Sequence, residues 1–216
     1  MAAVSQPLNL LRVIDPAGVN FVRGAGRLMW AGITIAFPTQ ISQIVDLTAF
    51  NPAAGWNDFG GTKTGIQVSL NNTEEAFDVD QILTDLITAP VSWEMNVATA
   101  LAEPNLSNFQ IAWETADQAT LATSAVAGRP LSETNIGMGA ALFYTQKRLA
   151  VLFQRPDGRL RVYAFRKVQR SPQQSQVTFN KTGEQQSIPV QFRCLPDTSI
   201  VDPKARFGVL FDQNLT

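Results

Sequence analysis

Apolar and polar residues alternate with period two through much of the chain, which predicts a mainly β fold. The alternation is clear in residues 65–70, 74–82 and 91–101. These segments predict three consecutive strands of one antiparallel sheet with a dry face and a wet face. On the wet face we place eight polar residues: Gln67, Ser69, Glu74, Asp78, Asp80, Ser92, Glu94 and Asn96.

One segment departs from this pattern and predicts a helix. Leu106, Phe109 and Trp113 recur at helical spacing behind a Pro-Asn start signal, so we expect an amphipathic helix over 105–117 that packs on the sheet. The stretch 115–128 either prolongs this helix or forms a loop, and residues 137–139 are typical of a loop.

Strands resume after residue 141. An Asp-Gly pair, Asp157-Gly158, separates two apolar runs at 141–154 and 159–168, which is a strong hairpin signal. Shorter strands are predicted at 176–179, 187–195 and 207–211. In the second of these, Cys194 falls on the apolar face, so we expect a small buried hydrophobe rather than a reactive thiol.

Residues 37–64 are rich in Gly, Pro and Asn and show no clear periodicity. A loop this long inside a compact domain is usually functional, often as a binding loop. The length of 216 residues suits one large domain or two small ones. The four tryptophans, including Trp56, are interpreted as core or interface anchors.

Composition removes most enzyme chemistry. The 216 residues include no histidine and one cysteine, which excludes His-based triads, His-ligated metals, internal disulfides and Cys-clustered metal sites. We predict no cofactor and no enzymatic activity. No apolar run reaches the roughly 18 residues of a membrane span, and no signal-peptide pattern opens the chain, so we expect a product of a reducing cytoplasm without membrane insertion.

Two motifs were weighed as sites and set aside. Residues 60–65, GGTKTG, resemble a phosphate loop, but Thr62 precedes Lys63 and a strand is predicted to follow. Asp78 and Asp80, with Glu74 and Glu75, suggest a calcium site or a carboxylate pair of a glycosidase. The calcium-loop spacing is absent, and acids at i and i+2 on a strand are typical of one solvated face.

Charge is segregated along the chain although the net charge is only −1. Residues 28–128 contain eleven acids and one base, Lys63, whereas residues 129–216 contain 13 bases and six acids. A folded monomer can mix these regions in space, so the order of charges alone leaves open whether they form opposed surfaces.

The run from Gly60 to Leu106 resembles the tail tube proteins of long-tailed (siphovirus-like) bacteriophages. The residues that carry the resemblance are GGTKTGIQVSLNNTEEAFDVDQI followed by PVSWEMNVATALAEPNL. In that family a glycine-bearing loop leads to a strand, then to an acidic strand, then to a strand that enters a helix. The detailed similarity covers about residues 55–115.

The resemblance implies a single domain over residues 1–216 with the phage tail tube fold, a β-sandwich or curved antiparallel sheet with one flanking helix at 105–117. It also implies an N-terminal arm over 1–30 and a long loop over 37–64. It implies a structural virion protein that self-assembles into rings, six copies in each, which stack into a hollow tube for DNA ejection. Its implied partners are further copies of itself, a tape-measure protein, tail terminator and distal tail proteins, and double-stranded DNA in transient passage. The implied location is the virion tail, assembled in the host bacterial cytoplasm, and loop 37–64 and arm 1–30 would reach the neighbouring ring.

On this interpretation the wet face lines the channel, where carboxylates repel DNA phosphates and let DNA slide. A solvent-exposed face of a monomer remains the alternative. Contacts between subunits would use complementary patches, for which we name acidic and aromatic loop residues and a basic C-terminal group: Asp46, Trp56 and Asp58, with Arg155, Arg159, Arg161, Arg166, Lys167 and Arg170.

Three other classes stay open. One is a tail component that remains a single ring, such as a tail terminator or distal tail protein. Another is a tube protein of a type VI-like injection system. A carboxylate-dependent glycosidase is the most distant and would need a cleft with two opposed acids about 5–9 Å apart.

Overall fold

The computed structural model describes residues 26–79, 82–114, 119–126, 129–135, 143–155, 157–171 and 186–213. Within these ranges the chain forms ten strands and one α-helix. They are β1 (Arg27–Gly32), β2 (Trp56–Asp58), β3 (Thr62–Val79), β4 (Ile82–Leu101), α1 (Leu106–Trp113), β5 (Ala119–Val126), β6 (Arg129–Asn135), β7 (Lys147–Gln154), β8 (Leu160–Arg170), β9 (Ile188–Leu195) and β10 (Gly208–Asp212).

Eight strands form one antiparallel sheet in the order β2-β1-β7-β8-β9-β4-β3, with β10 also paired to β8. Strands β5 and β6 pair only with each other among the described residues. The sheet curls, because β3 at one edge approaches β1 near the other edge. The prediction of a mainly β chain with a curved antiparallel sheet and one helix is therefore confirmed.

Strands β3 and β4 form one long hairpin of 18 and 20 residues. The prediction of separate strands at 65–70 and 74–82 is wrong, because Asn71, Asn72 and Thr73 stay extended and pair with Glu94, Trp93 and Ser92. The ladder continues through these three polar residues, and the next register shift comes after Thr73.

The second hairpin, β7–β8, has the predicted turn, but its first strand begins at Lys147 and not at residue 141, since residues 143–146 are outside any strand. Gly158 adopts φ +85°, a left-handed conformation that favours glycine. Its N–H donates to the carbonyl of Arg155 at 2.9 Å, and the N–H of Arg155 donates to the carbonyl of Arg159 at 2.7 Å. These bonds close the turn that Asp157-Gly158 predicted. The predicted strands at 187–195 and 207–211 also form, as β9 and β10.

The sheet is buried on both faces near its centre. One face carries the larger core, in which Leu149 and Val151 of β7 meet Phe59, Phe192 and helix residue Ile111. The other face carries a second core, in which Ala150 and Leu152 of β7 meet β1, β8 and loop residues. Strand β7 therefore has four consecutive buried residues, as expected for a strand covered on both sides.

The long loop provides the cover over the second face. Ile44 and Val45 are fully buried, and Trp56 is 5% exposed. Phe37, Ile41 and Phe50 pack around them, which explains the missing periodicity: the loop is held by scattered apolar residues instead of by a regular element. Residues 37–64 thus fold back on their own sheet, with 56–58 and 62–64 as parts of β2 and β3.

Helix α1 begins where the Pro-Asn signal predicts it. Asn105 is the N-cap, and its side chain accepts from the N–H of Asn108 at 2.8 Å. The helix ends at Trp113, four residues before the predicted end, because Glu114 turns the backbone into the left-handed region at φ 50°. Residues 119–126 then form β5, so the 115–128 stretch does not prolong the helix.

Several predicted features lie outside the described residues. These are residues 1–25 of the predicted arm, the loop at 137–139 and the strand at 176–179. The prediction of an arm is corrected at Arg27–Gly32, because these residues form the internal strand β1 between β2 and β7. Among the described helices, none is long and apolar enough to span a membrane.

Phe59 joins the helix side of the core to the loop. It is fully buried, and its ring centroid lies 6.4 Å from that of Trp30 and 5.8 Å from that of Phe192. We expect Phe59→Ala to lower the free energy of unfolding by about 3–5 kcal/mol, through lost burial and the cavity left behind. Phe143→Ala is the matched control: Phe143 is 88% exposed, so a change within about 0.5 kcal/mol is expected. Urea denaturation of both variants measures the difference, and equal losses would contradict the assigned core.

Candidate assembly surface

The long hairpin projects beyond the rest of the sheet. Pairing between β4 and β9 ends at Met95–Cys194, so residues 71–94 pair only within the hairpin among the described residues. Leu70 and Trp93 lie where the core ends, and they are 52% and 50% exposed. The sequence pattern had placed both on a dry face. Their side chains are apolar but have no core beneath them, so this part of the sheet offers a contact surface.

The polar face of this hairpin extends across β9. Ser69 pairs with Asn96, which pairs with Arg193, and Asn71 pairs with Glu94. Glu94 accepts an ion pair from Arg193 Nε at 3.6 Å, with the two side chains 47% and 52% exposed. The acidic charge that we predicted here is therefore partly balanced by a base on the next strand. Arg193 was not among the residues predicted for this face, although it occupies a polar position in the alternation of β9.

The eight predicted channel residues do not share one face. Strand β3 runs on through 71–73, and the register shift after Thr73 places the additional residue on β4, so odd and even positions of β3 keep pointing to opposite sides. Glu74 is therefore on the other side of the sheet from Gln67 and Ser69. The side chain of Asn72 donates to Glu74 Oε1 at 2.7 Å, as expected for residues two apart on one side. This is a correction: the segments 65–70 and 74–82 were predicted as separate strands, so their faces were assigned independently.

The remaining predicted channel residues differ in their surroundings. Gln67, Ser92 and Glu94 are exposed, whereas Asn96 is only 8% exposed and is thus not an open lining residue. Its Oδ1 accepts no hydrogen bond from the described part of the chain. Asp78 lies in the stretch of β3 where the backbone alone is described, and Asp80 lies outside the described residues.

The acidic and aromatic residues proposed for subunit contacts are mostly used within the chain. Trp56 is a core residue, so the prediction that it contacts a neighbour is corrected by its burial. Asp58 pairs with Arg27 at 2.6 Å and accepts from the N–H of Gly60 at 3.0 Å. Asp46 is exposed and accepts from the N–H groups of Thr48 and Ala49, which lower the pKa of its carboxyl. Only Asp46 thus presents its side chain largely to the outside.

Two of the proposed basic residues converge on one carboxylate. Arg155 Nη1 lies 2.9 Å from Asp212 Oδ1, and Arg161 Nη2 lies 2.6 Å from Asp212 Oδ2. The hydrogen bond from Arg161 is the main reason why the pKa of Asp212 is lowered. Asp157 holds the turn end of this cluster, 3.4 Å from Arg155 and 3.6 Å from Arg159. These pairs tie β10 and the β7–β8 turn to β8.

The other three basic residues lie further along β8. Arg166 Nε donates to the carbonyl of Ala205 at 3.0 Å, and its guanidinium lies 4.0 Å from the ring centroid of Phe37. Lys167 Nζ lies 3.0 Å from Asp197 Oδ1. Arg170 pairs in the sheet with Phe192. Arg166 and Lys167 therefore hold the loop before β10 and the long loop in place, and a further role between subunits stays a prediction.

Two features of the described residues concern metal binding and thiol chemistry. No group of three Asp, Glu or Cys side chains comes together there in an arrangement that could hold a metal ion. Cys194 is 3% exposed, and burial raises the pKa of its thiol to about 12. The prediction of a small buried hydrophobe at this position is confirmed.

Comparison with known proteins does not identify a family. A scan of protein-family models found no model that matches the chain, and a search of curated proteins found no similar sequence.

The Lys167–Asp197 pair makes a testable contribution to stability. Hydrogen bonds from Lys167 and Ser199 lower the pKa of Asp197 from 3.8 to about 2. The folded carboxylate holds its proton less tightly than the unfolded one, so its stabilisation is complete above about pH 4 and is lost as the pH falls towards 2. Asp197→Asn should therefore be less stable at pH 7 and should lose less stability between pH 4 and 2 than the unaltered chain.

Urea titrations at several pH values measure this difference. Glu75→Gln, at an exposed position of β3, is the control and should keep the original pH dependence. If Asp197→Asn keeps it too, the ion pair does not hold the pKa of Asp197 down.

Proposed function

We propose that this chain is a structural subunit that self-assembles into stacked rings and forms the hollow tail tube of a long-tailed bacteriophage. The observation that carries the proposal is the projecting β3–β4 hairpin with Leu70 and Trp93 half-exposed at its base. Apolar side chains in water, and a strand edge such as that of β3 that pairs with no other strand in the described ranges, are features that isolated monomers avoid. Both are expected when neighbouring copies complete the sheet.

The resemblance in the sequence falls on the same element. The similar residues, about 55–115, include both strands of the hairpin and helix α1. The helix packs against β9 through the larger core, at the inner end of the hairpin. The part of the chain that resembles tail tube proteins is thus the part that leaves the monomer incomplete.

A channel in such a tube would be lined by the polar side of the hairpin base. Gln67, Ser69, Ser92 and Glu94 lie on that side, together with Arg193 of β9. A surface with Glu94 and Arg193 paired offers DNA phosphates no excess positive charge, so it would release no counterions and would not retain DNA. This fits passage of DNA better than its storage or specific recognition.

Electron microscopy of the purified chain tests the proposal directly. At high protein concentration we expect negative-stain images to show hollow tubes whose length grows with concentration. Single rings that never stack would favour a tail terminator or distal tail protein instead. Persistent monomers would contradict self-assembly.

The hairpin base can be tested by one substitution. Trp93→Ser removes a large, half-exposed apolar side chain without touching a fully buried one. We expect the critical concentration for assembly to rise at least about tenfold, because aromatic anchors contribute much of the energy of protein interfaces. Thermal unfolding of the unassembled chain should change little. Phe143→Ser, at an exposed aromatic residue outside the hairpin, should leave assembly unchanged, and pelleting assays compare the two.

A further inference from the structure

The loop between β9 and β10 exposes an apolar residue on a rigid support. This loop comprises residues 196–207 and is called the Val201 loop. Its residue Val201 is 92% exposed. The N–H of Asp197 donates to the carbonyl of Arg206 at 2.9 Å, and Arg206 Nε donates to the carbonyl of Ile200 at 3.1 Å. Asp202 caps the 3₁₀ turn Pro203–Ala205 through the N–H of Lys204 at 2.9 Å. A loop with its ends tied in this way loses little conformational entropy on binding.

An open cavity lined by both polar and apolar side chains lies at the other end of β10. It has a volume of about 330 Å³, which is ample for a valine side chain. We call it the Leu47 cavity, and its walls come from the long loop and the end of β10: Thr39, Gln40, Ile41, Ser42, Leu47, Phe211, Asp212 and Gln213. Leu47 itself is 42% exposed. Ile41, Leu47 and Phe211 thus leave apolar surface that a small aliphatic group would cover.

The positions of the two features suit a contact between copies. The Val201 loop ends at Phe207, just before β10, whereas Phe211, Asp212 and Gln213 of the cavity lie at the end of that strand. Val201 is 92% exposed and no residue of its loop lines the cavity, so the loop does not fill the cavity of its own chain. Two complementary features at different places on one subunit generate a head-to-tail contact that repeats.

Exposed charges beside the two features have opposite signs. Lys204 lies three residues after Val201 and is exposed, and no ion pair joins its ammonium to the described residues. Asp46 lies next to Leu47 at the cavity and is also exposed. Charges that face each other across an interface set its orientation more than its strength.

We propose that the Val201 loop of one copy docks into the Leu47 cavity of the next copy. Val201 packs against Ile41, Leu47 and Phe211, and Lys204 faces Asp46 of the neighbour. The inference rests on the proposed self-assembly and deepens it, because it names an axial contact between successive copies. It also gives Asp46 a partner, Lys204, outside the basic C-terminal group that was expected from the sequence. Residues of that basic group form contacts within their own chain.

Disulfide trapping tests this contact, since the single natural cysteine is buried. The double variant Val201→Cys with Ser42→Cys places one thiol on the loop and one at the cavity. A disulfide within one chain leaves the mass of that chain unchanged, so only bonds between copies can give linked chains on a gel. Mild oxidation of the assembled protein should give a ladder of linked chains on non-reducing gels. Val201→Cys with Ser92→Cys on the hairpin is the matched control and should give no ladder.

Assembly strength provides the second measurement. Val201→Ser should raise the critical concentration by about tenfold, the factor expected when an aliphatic side chain of this size is no longer buried. Leu210→Ser is the control, at a residue that is 51% exposed on β10 but belongs to neither feature. Equal effects of the two substitutions would overturn the proposal.

The outcomes separate this inference from the function on which it rests. Tubes that form without the disulfide ladder would overturn the docking contact and leave the tail tube proposal standing. Linked chains that form open ladders but no hollow tubes would support the contact and contradict the tube. A chain that never associates would overturn both.

Discussion

Burial of the central strands on both faces is the constraint on which the rest of the structure depends. Strand β7 places Leu149 and Val151 in one core and Ala150 and Leu152 in the other, all fully buried. A strand of this kind needs a layer on each side. Helix α1 contributes to one layer, and the long loop forms the other through Ile44, Val45 and Trp56. The loop 37–64, which the sequence suggested as a binding loop, is thus required for the fold itself.

Local signals in the sequence were sufficient where one short segment decides the outcome. The Asp157-Gly158 turn, the Asn105 cap and the alternation of β9 each depend on a few neighbouring residues, and each was predicted correctly. The continuity of β3 through Asn71, Asn72 and Thr73 was not, because pairing with the exposed strand β4 outweighs the turn preference of asparagine. Because of that error, Glu74 was predicted on the same side of the hairpin as Ser69. The burial of Trp56 was beyond local reasoning, since it depends on contacts with β7 and β8.

The ion pairs of the fold also depend on contacts that the order of charges along the chain does not reveal. The acidic middle and basic end of the sequence suggested two opposed surfaces. In the fold, Arg155, Arg161 and Lys167 pair with Asp212 and Asp197, which are acids of their own basic region. Three of the six acids of that region, Asp157, Asp197 and Asp212, make ion pairs that hold β8, β10 and their connecting loops together. Because both members of each pair belong to the same region, these pairs leave its excess of seven bases over acids unchanged.

The hairpin and the Val201 loop share one feature that the core lacks, which is exposed apolar side chains on an ordered backbone. Each carries apolar side chains that are exposed although the adjoining backbone is ordered by hydrogen bonds, through the β3–β4 ladder at the hairpin base and the Asp197–Arg206 bond in the loop. An apolar side chain on a flexible segment can fold away, but one on a rigid segment stays in water until another surface covers it. The two segments belong to different strands and loops, so two separate contacts would cover them. Contacts in two directions are what distinguishes a subunit of stacked rings from a subunit of one closed ring.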